Sequence, residues 1–476
     1  MNVQMKITIK NLGVLRQAEF SLGKLTVICG NNNTGKTYAT HATYGLLNYL
    51  RTNMRFPIAG DALTNIREHG HVSIPLIPHA KDLPKYINSA TVAYTKLLPG
   101  VFAGNEKNFS GSKIACSLST PTFRLAKVGF SVGVGGKELF QINSSQDNEN
   151  LEVTCSFDNF REESIPSHVL EESIRDGIRS AVLGLVVPEP FLASAERTGA
   201  AIFQKELDFT RNRLVDLLGD KTTKIHPVQL LGQFKGNYPL AVRNNVDFIR
   251  DLPNICNRNS FILAKHSDLL DDFQDIIGGE YRVSKDSGIQ YIPSKSKSIK
   301  LSLVESSSAV RSLLDVGFYL RHIAKQGDLF MIDEPELNLH PENQRKVARL
   351  FARLVHLGIS VFMTTHSDYI IKEFNTLIML GQKNNKRLQE LAKREKYRAE
   401  ELLNHEDVQV YIAEESLVKL DDGQRKTRCQ TLVPATISPE SGIDARSFDK
   451  TIEDMNRIQE EIVWGTETHE EEHCNE

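Results

Sequence analysis

The chain has 476 residues, of which 40% are hydrophobic and 25% are charged, and its formal net charge at pH 7 is −3. We expect two or more lobes at this length, and the small net charge excludes a global attraction to nucleic acid or anionic membranes. Six scattered cysteines lack C-x-x-C spacing, which argues against a zinc site or disulfide framework and predicts reduced thiols. Because no signal-type start and no run of 18 apolar residues occur, we expect a cytoplasmic protein without membrane contact.

The first recognisable unit is a strand, a glycine-rich turn and a helix. Residues 5–9 alternate apolar and polar side chains, as a half-buried strand does, and residues 25–29 are apolar enough to be buried on both faces. The second strand leads into a turn that fits G-x-x-x-x-G-K-[ST], formed by Gly30, Asn31, Asn32, Asn33, Thr34, Gly35, Lys36 and Thr37. Residues 38–50 are expected to be helical.

This turn has the chemistry of a phosphate-binding loop. Its glycines allow successive backbone N–H groups to point at phosphate oxygens, and the positive end of the following helix faces the same place. Lys36 is placed to reach the β and γ phosphates of ATP, and Thr37 offers a hydroxyl to Mg²⁺. A chance match in a glycine turn is the alternative, against which the flanking strand and helix count.

A second signal lies far along the chain, where an apolar strand at residues 329–332 ends in two acids. Asp333 fits the position that holds Mg²⁺, and Glu334 is placed to polarise the water that attacks the γ phosphate. Adjacent acids at a strand end also occur as helix caps or surface residues. The phosphate-binding loop in the same chain favours the catalytic interpretation.

One further strand ends in a histidine. A helix is predicted for residues 342–357, and the apolar strand that follows it ends in Thr364-Thr365-His366-Ser367. His366 therefore follows the acidic strand by one helix, which is the spacing of a nucleotide-binding sheet. We predict that His366 contacts the γ phosphate and positions the water, with a purely structural histidine as the alternative.

These segments resemble the ABC-type ATPase heads of the SMC/OLD group. The resemblance lies in Asp333-Glu-Pro-Glu, Leu339-His340-Pro341 and Thr364-Thr-His366-Ser, and it covers residue 1 to about 50 and residue 301 to about 380. It implies an α/β fold, namely an ABC-type P-loop ATPase head with a large inserted helical and β arm and a small C-terminal subdomain. The expected division is an N-terminal ATPase lobe at 1–51, the insertion at 52–298, a C-terminal ATPase lobe at 299–381 and a cap or partner-binding region at 382–476.

Heads of this kind also carry a Leu-Ser-Gly-Gly-type signature that contacts ATP held by the other protomer. The matching place here holds Ser306, Ser307 and Ser308, before a helix predicted for residues 312–323. Serine hydroxyls and backbone N–H groups at a helix start can bind phosphate. The resemblance thus implies a homo-oligomer that assembles through its heads, and a plain serine N-cap is the alternative.

Two other features have open interpretations. Arg197 is predicted either to reach a phosphate or neighbouring subunit, or to form a surface salt bridge with Glu196. Residues 382–406 are highly charged, and their mixed signs favour a solvated helix face over a nucleic-acid surface.

A head with so short a tail resembles the ATPases of bacterial anti-phage systems, first the PARIS type, paired with a TOPRIM nuclease, and second the Septu type, paired with an HNH nuclease. This resemblance implies a slow, regulatory ATPase that responds to a phage-encoded trigger and controls a separate toxic nuclease. The chain itself lacks an Asp-x-Asp after residue 380 and a His-Asn-His cluster.

Two other classes of function stay open. One is an SMC-like repair or recombination ATPase that binds DNA directly, against which the lack of sustained heptads between residues 52 and 298 counts. The other is a nucleotide-dependent scaffold that does not hydrolyse ATP.

Overall fold

A computed structural model of the protein describes residues 4–58, 60, 62–119, 124–134, 137–145, 147, 149–155, 167–203, 238–284, 288–382, 385–420, 425–444 and 454–462. The strands are β1 (Gln4–Leu12), β2 (Leu15–Ser21), β3 (Leu25–Cys29), β4 (His71–Pro75), β5 (Lys113–Ser119), β6 (Gly129–Val134), β7 (Lys137–Ser144), β8 (Asn150–Cys155), β9 (Pro190–Ala193), β10 (Gly279–Ser284), β11 (Gly288–Pro293), β12 (Leu301–Ser302), β13 (Leu329–Asp333), β14 (Ser360–Thr365), β15 (Val408–Lys419), β16 (Lys426–Pro434), β17 (Ile437–Ser438) and β18 (Gly442–Ile443).

The helices lie between groups of these strands along the chain. They are α1 (Lys36–Asn53), α2 (Ala62–His69), α3 (Ile77–Lys81), α4 (Leu83–Thr95), α5 (Leu98–Val101), α6 (Ser167–Leu183), α7 (Arg197–Ile202), α8 (Leu240–Ile255), α9 (Phe261–Lys265), α10 (Ser267–Ile277), α11 (Ser308–Ser312), α12 (Leu314–Phe318), α13 (Pro341–His356), α14 (Asp368–Leu380) and α15 (Lys386–Arg394). A π-helical turn at Tyr319–Ile323 continues α12.

A six-stranded sheet with the order β16-β15-β3-β14-β13-β9 forms the centre of the fold. The strands from β15 to β9 are parallel, and β16 pairs with β15 in the antiparallel direction. Every residue of β3 and β13 is buried. Continuous apolar runs are what a parallel sheet covered on both faces requires, so the sequence of these strands matches their place.

Alternate residues of the central strands enter two different hydrophobic cores. Ile28, Met331 and Phe362 pack in the core that contains the apolar side of α1. Val27 and Phe330 pack on the opposite face, in the core that contains residues of α13 and α14. The sheet is therefore the middle layer of a mixed α/β fold, with helices on both faces.

Antiparallel sheets accompany this central layer. Their strand orders are β2-β1-β5, β4-β8-β7-β6, β10-β11-β12 and β17-β18. Buried residues of β1, β2, β4, β7 and β8 share a core with the apolar side of α1. The P-loop helix is thus fixed between the parallel sheet and the antiparallel strands.

Several local expectations are corrected by the structure. Helix α8 runs through Pro253, whereas a proline usually ends a helix, because buried Leu252 and Ile255 continue its apolar face. The helix expected at residues 312–323 begins earlier, at Ser308, and is divided into α11, α12 and the π-helical turn. The charged stretch 382–406 is helical at Lys386–Arg394 and has a 3-10 turn at Ala399–Glu401, which leaves most of it outside a regular helix.

The region treated as a C-terminal cap contributes to the central sheet. Strand β15 pairs in parallel with β3, the strand that leads into the phosphate-binding loop. Strands β15 and β16, which belong to the 382–476 region, are therefore joined to the central sheet. Across the described ranges, no helix has the length and apolar character needed to cross a membrane.

Candidate nucleotide-binding and hydrolysis site

Three loops meet at the carboxyl edge of the parallel sheet. Strands β3, β14 and β13 lie side by side in that order, with Ile28 of β3 opposite Thr364 of β14, and Thr364 opposite Asp333 of β13. The phosphate-binding loop follows β3, the acidic pair ends β13, and His366 follows β14. Because parallel strands end at the same edge, the sequence-predicted residues from three distant segments come together there.

The phosphate-binding loop has the backbone geometry that its glycines allow. Gly30 has φ 141° and Gly35 has φ 94°, a region that side chains rarely adopt. A Cβ atom at Gly30 would lie 2.6 Å from the carbonyl oxygen of Ala413 in β15. The side chains of residues 31–33 are exposed, and the Thr34 hydroxyl donates to the carbonyl oxygen of Asn31 at 2.8 Å.

Lys36 lies inside this loop. Its ammonium donates to the carbonyl oxygens of Gly30 at 3.0 Å and Asn31 at 2.8 Å, and the side chain is buried. Burial lowers the pKa of Lys36, an effect opposed by the carboxylates of Glu334, Glu336 and Asp333. A buried ammonium beside N–H groups of a helix start is suited to an anion, so the loop fits the phosphates of a nucleotide.

Asp333 is fully buried and only partly satisfied. Its Oδ1 accepts a hydrogen bond from the Thr364 hydroxyl at 2.6 Å, and its Oδ2 lies 3.5 Å from Nε2 of His41 on α1. Burial favours the neutral acid, but His41 and the hydroxyls of Thr364 and Thr40 outweigh it and hold the pKa of Asp333 below its usual value. Among the described residues, Asp333 Oδ2 has no hydrogen-bond partner, which fits a charged oxygen available to a cation.

This donor set fits Mg²⁺ bound together with a nucleotide. Among the described residues, no group of three or more His, Cys, Asp or Glu side chains is arranged for a metal ion. Mg²⁺ is commonly held by one or two protein oxygens with substrate phosphates and waters, and the residues that would hold it here are Asp333 and Thr37. Bound Mg²⁺ would neutralise charge on the β and γ phosphates.

Glu334 lies one residue beyond the end of β13, in a left-handed backbone conformation with φ 49°. Its backbone N–H donates to the carbonyl oxygen of Thr364 at 3.1 Å, and its carboxylate is partly open to solvent. Its Oε1 lies 3.6 Å from Nδ1 of His366. A carboxylate at this place can accept a proton from an attacking water.

Glu336, two residues further on, fixes the histidine loop. Its Oε1 accepts hydrogen bonds from the His366 backbone N–H at 2.8 Å and the Thr365 hydroxyl at 2.9 Å. The same oxygen lies 3.4 Å from Nδ1 of His366. Burial raises the pKa of Glu336. Glu336 is the last residue of the Asp-Glu-Pro-Glu motif, and the motif alone did not predict this role.

The signature-like serines form a closed loop before α11. The Ser306 hydroxyl donates to the carbonyl oxygen of Ser302 at 2.7 Å, and the Ser307 hydroxyl accepts from the Val310 N–H at 3.3 Å as the helix N-cap. Ser308 is the first residue of α11, and Arg311 donates to the Ser306 carbonyl oxygen. The N-cap alternative therefore describes Ser307, and contact with ATP remains a prediction for all three serines.

Arg197 is the residue for which the sequence expectations are wrong. It is 1% exposed, and its guanidinium donates hydrogen bonds to four backbone carbonyl oxygens. Because the side chain is buried and its donors are used in this way, it forms no surface salt bridge with Glu196 and reaches neither a phosphate nor a neighbouring subunit. Two of those carbonyls belong to Asp333 and Glu334. The residue types around Arg197 gave no signal for these contacts, because backbone carbonyls are present at every position.

The parallel sheet with helices on both faces, the phosphate-binding loop after β3 and the acidic end of β13 together form a P-loop α/β fold. Residues 244–371, about a quarter of the chain, match the family model described as AAA ATPase domain. That segment contains Asp333, Glu334, His366 and the signature-like serines, while the phosphate-binding loop lies outside it. This segment of the chain is therefore similar to an ATPase domain of that family.

Solved structures similar to this chain include three SMC head domains. An Smc head bound to the C-winged helix domain of ScpA is 10% identical, with 92% of this chain and 98% of that chain covered and a TM-score of 0.34. The SMC head domain from Thermotoga maritima is 13% identical, with 92% and 100% covered and a TM-score of 0.30. An Smc head with an extended coiled coil, bound to the C-terminal domain of ScpA derived from Pyrococcus furiosus, is 11% identical, with 96% and 99% covered and a TM-score of 0.31. These TM-scores are too low to carry an argument about function, and no curated protein matches the chain.

Proposed function

We propose that this protein binds ATP with Mg²⁺ and hydrolyses it slowly to ADP and phosphate. The observation that carries the proposal is the meeting of Lys36, Asp333 and Glu334 at one edge of the parallel sheet, where β3 and β13 lie on either side of β14. In this proposal the loop from Asn31 to Thr37 holds the phosphates, Asp333 and Thr37 hold Mg²⁺, and Glu334 accepts the proton of the attacking water. His366 contacts the γ phosphate.

Hydrolysis takes place, in this proposal, between two heads of a homo-oligomer. Ser306, Ser307 and Ser308 of one head contact the ATP bound by the other. Support comes from the serines' position in a compact loop at the start of α11.

The biological role that we propose is control of a separate nuclease in anti-phage defence. It rests on the motifs that resemble the PARIS-type and, second, the Septu-type ATPases. The chain would respond to a phage-encoded trigger and release or activate a TOPRIM-type or HNH-type effector. Direct DNA binding by an SMC-like repair ATPase is the alternative that the first experiment separates.

That experiment is ATP turnover by the purified protein, with and without duplex DNA, and with Lys36→Ala as the control that removes the phosphate ligand. We expect slow turnover that DNA leaves unchanged and that Lys36→Ala abolishes. Strong stimulation by DNA would replace the defence proposal by the repair alternative. Turnover that persists in Lys36→Ala would contradict the assignment of the site.

The effector is tested by co-purification. The tagged protein, expressed from its native locus, is expected to co-purify with a nuclease encoded beside it. Cells that carry Lys36→Ala are expected to lose their resistance to phage. A native locus without a neighbouring nuclease gene, and resistance unchanged by Lys36→Ala, would overturn the proposed role while leaving ATP hydrolysis intact.

A further inference from the structure

The guanidinium of Arg197 joins three segments that are far apart in the chain. Arg197 opens α7, just after β9, and it is almost completely buried. Its Nε donates to the carbonyl oxygen of Ser312 at 2.5 Å, and its Nη1 donates to that of Ser194 at 2.8 Å. Nη1 and Nη2 also donate to the carbonyl oxygens of Asp333 at 2.6 Å and Glu334 at 3.0 Å.

One of these contacts lies at the turn that sets the direction of the Glu334 carboxylate, the proposed proton acceptor. Glu334 has a positive φ of 49°, a strained conformation for a residue with a side chain that persists where its surroundings hold it. The bonds from Arg197 fix the carbonyls on both sides of the Glu334 nitrogen and α-carbon. The direction of the Glu334 carboxylate is thereby tied to the position of Arg197.

Another contact lies at the end of the signature-like segment. Ser312 is the last residue of α11, which begins at Ser308, directly after the N-cap Ser307. The Ser312 hydroxyl donates in turn to the carbonyl oxygens of Ala309 at 3.0 Å and Leu337 at 3.2 Å. A shift of α11 therefore pulls on the same guanidinium that holds the turn at Glu334.

The charge of Arg197 has a buried counterpart. Asp315 on α12 is fully buried, and among the described residues neither of its carboxylate oxygens has a hydrogen-bond partner. Burial lowers the pKa of Arg197, and the negative charge of Asp315 is the first of the carboxylates that oppose this. The ionised form of Asp315 therefore favours the charged form of Arg197, while the N–H groups of Arg197 are used for the backbone.

We propose that Arg197 is a positioning residue that couples the signature-like segment, residues 306–312, to the direction of Glu334. The inference rests on the proposed hydrolysis at Glu334 and adds to it a route by which engagement of residues 306–312 by a second head alters the catalytic turn. A planar guanidinium is needed because its fork of N–H donors reaches three backbone segments at once. A lysine ammonium acts as a point charge and does not span them.

The test compares Arg197→Lys with Arg179→Lys in the full chain. Arg179 is the control because it is also buried, at 6% exposed, and donates to backbone carbonyls away from the site, those of Thr52 at 2.6 Å and Met54 at 3.3 Å, besides its ion pair with Asp176. For Arg197→Lys we expect kcat to fall about 10- to 100-fold through misplacement of Glu334. ATP affinity should stay within about twofold, the pattern of a loss confined to the reacting state.

A second readout does not depend on hydrolysis. Hydrogen–deuterium exchange of the amides in residues 333–337 and 308–313 should be faster in Arg197→Lys and unchanged there in Arg179→Lys. The inference is overturned if exchange at these segments is unchanged, or if kcat of Arg197→Lys falls no more than that of Arg179→Lys. Absence of turnover in the unmodified protein would instead refute the proposed function, and the exchange result would still decide the role of Arg197.

Discussion

Two fully buried aspartates beside the site titrate differently because their partners differ. Hydroxyl groups of Thr364 and Thr40, with His41, hold the pKa of Asp333 below its usual value against the effect of burial. Asp315 has no hydrogen-bond partner among the described residues, and burial raises its pKa to about 7 although Arg197 opposes the shift. At neutral pH the site therefore keeps a charged Asp333, and Asp315 changes its protonation near physiological pH.

Asp315 should make stability depend on pH. Its folded-state pKa of about 7 lies above the ordinary value of 3.8. Between these two pH values the native state therefore holds a proton that the unfolded state has lost. The stabilisation is complete below the ordinary pKa and is lost as pH rises through about 7, at about 1.4 kcal/mol per pKa unit. In Asp315→Asn we expect a smaller decrease of melting temperature between about pH 5 and about pH 8.

The control for this measurement is Asp247→Asn, which alters an exposed carboxylate on α8. It should leave the pH dependence of melting unchanged. Asp328 also has a raised pKa, about 6, so some decrease will persist in Asp315→Asn below neutral pH. An identical decrease in Asp315→Asn and the unmodified protein above pH 6 would contradict the account.

His366 should affect turnover more than binding. Its ring lies 3.6 Å from Glu334 and 3.4 Å from Glu336, and Glu336 holds its backbone. We expect His366→Ala to lower kcat about 100-fold, the scale of a lost acid–base or positioning group, with nucleotide affinity nearly unchanged. His69→Ala, at an exposed position on α2, is the control. A loss of ATP affinity as large as the loss of kcat would instead assign His366 to the binding of ATP in the ground state.

At the scale of elements, the phosphate-binding loop depends on a strand from the opposite end of the chain. Gly30 begins the turn that follows β3 and lies against the backbone of β15, which pairs with β3 throughout Leu25–Cys29. The loop is therefore held on one side by its own helix α1 and on the other by β15. Its shape is a property of the sheet as well as of the local motif.

Gly30→Ala should damage both the loop and its support. The added Cβ would lie 2.6 Å from the Ala413 carbonyl oxygen and would require φ 141°, which side chains rarely adopt. We expect a loss of about 1–3 kcal/mol in the free energy of unfolding, together with loss of ATP binding, measured by thermal melting and by nucleotide titration. Gly100→Ala, where no atom lies within 4 Å of the added Cβ, should change neither quantity. Normal ATP binding by Gly30→Ala would show that the contact with β15 does not shape the loop.

The sequence predicted those elements whose signals are local. Strand β3, its glycine turn and helix α1 follow from an apolar run and a fixed spacing within 30 residues, and the strands before Asp333 and His366 follow in the same way. The contacts of Arg197 did not follow, since its acceptors are backbone carbonyls 115 to 137 residues away. The pairing of β15 with β3 was also not predicted, because the alternating pattern of a half-buried strand does not indicate which other strand pairs with it.

At the scale of the whole molecule, residues 408–434 complete the central sheet. Val410, Tyr411 and Ile412 of β15 are buried, and the Tyr411 hydroxyl accepts a hydrogen bond from the Ser21 N–H at 2.8 Å. The Thr431 hydroxyl on β16 donates to the Gln17 carbonyl oxygen at 2.6 Å. The two ends of the chain therefore fold as one unit.

Removal of residues 408–476 should abolish folding. Each large apolar side chain lost from the core is worth about 1.5–3 kcal/mol, and several such losses approach the total stability of about 5–15 kcal/mol. We expect an aggregated product without a cooperative melt. A chain ending at residue 444 retains β15 and β16 and removes the exposed helical residues 454–462, so it should melt like the full chain. A soluble, cooperatively folded chain ending at 407 would contradict this view of the sheet.

The central claim is that Glu334 at the end of β13 activates water for ATP hydrolysis. The most direct test measures steady-state ATP turnover and ATP affinity for the unmodified protein and for Glu334→Gln, which keeps the shape of the side chain and removes its capacity to accept a proton. The account predicts unchanged affinity and turnover lowered by at least about 100-fold. Turnover by Glu334→Gln equal to that of the unmodified protein would contradict it.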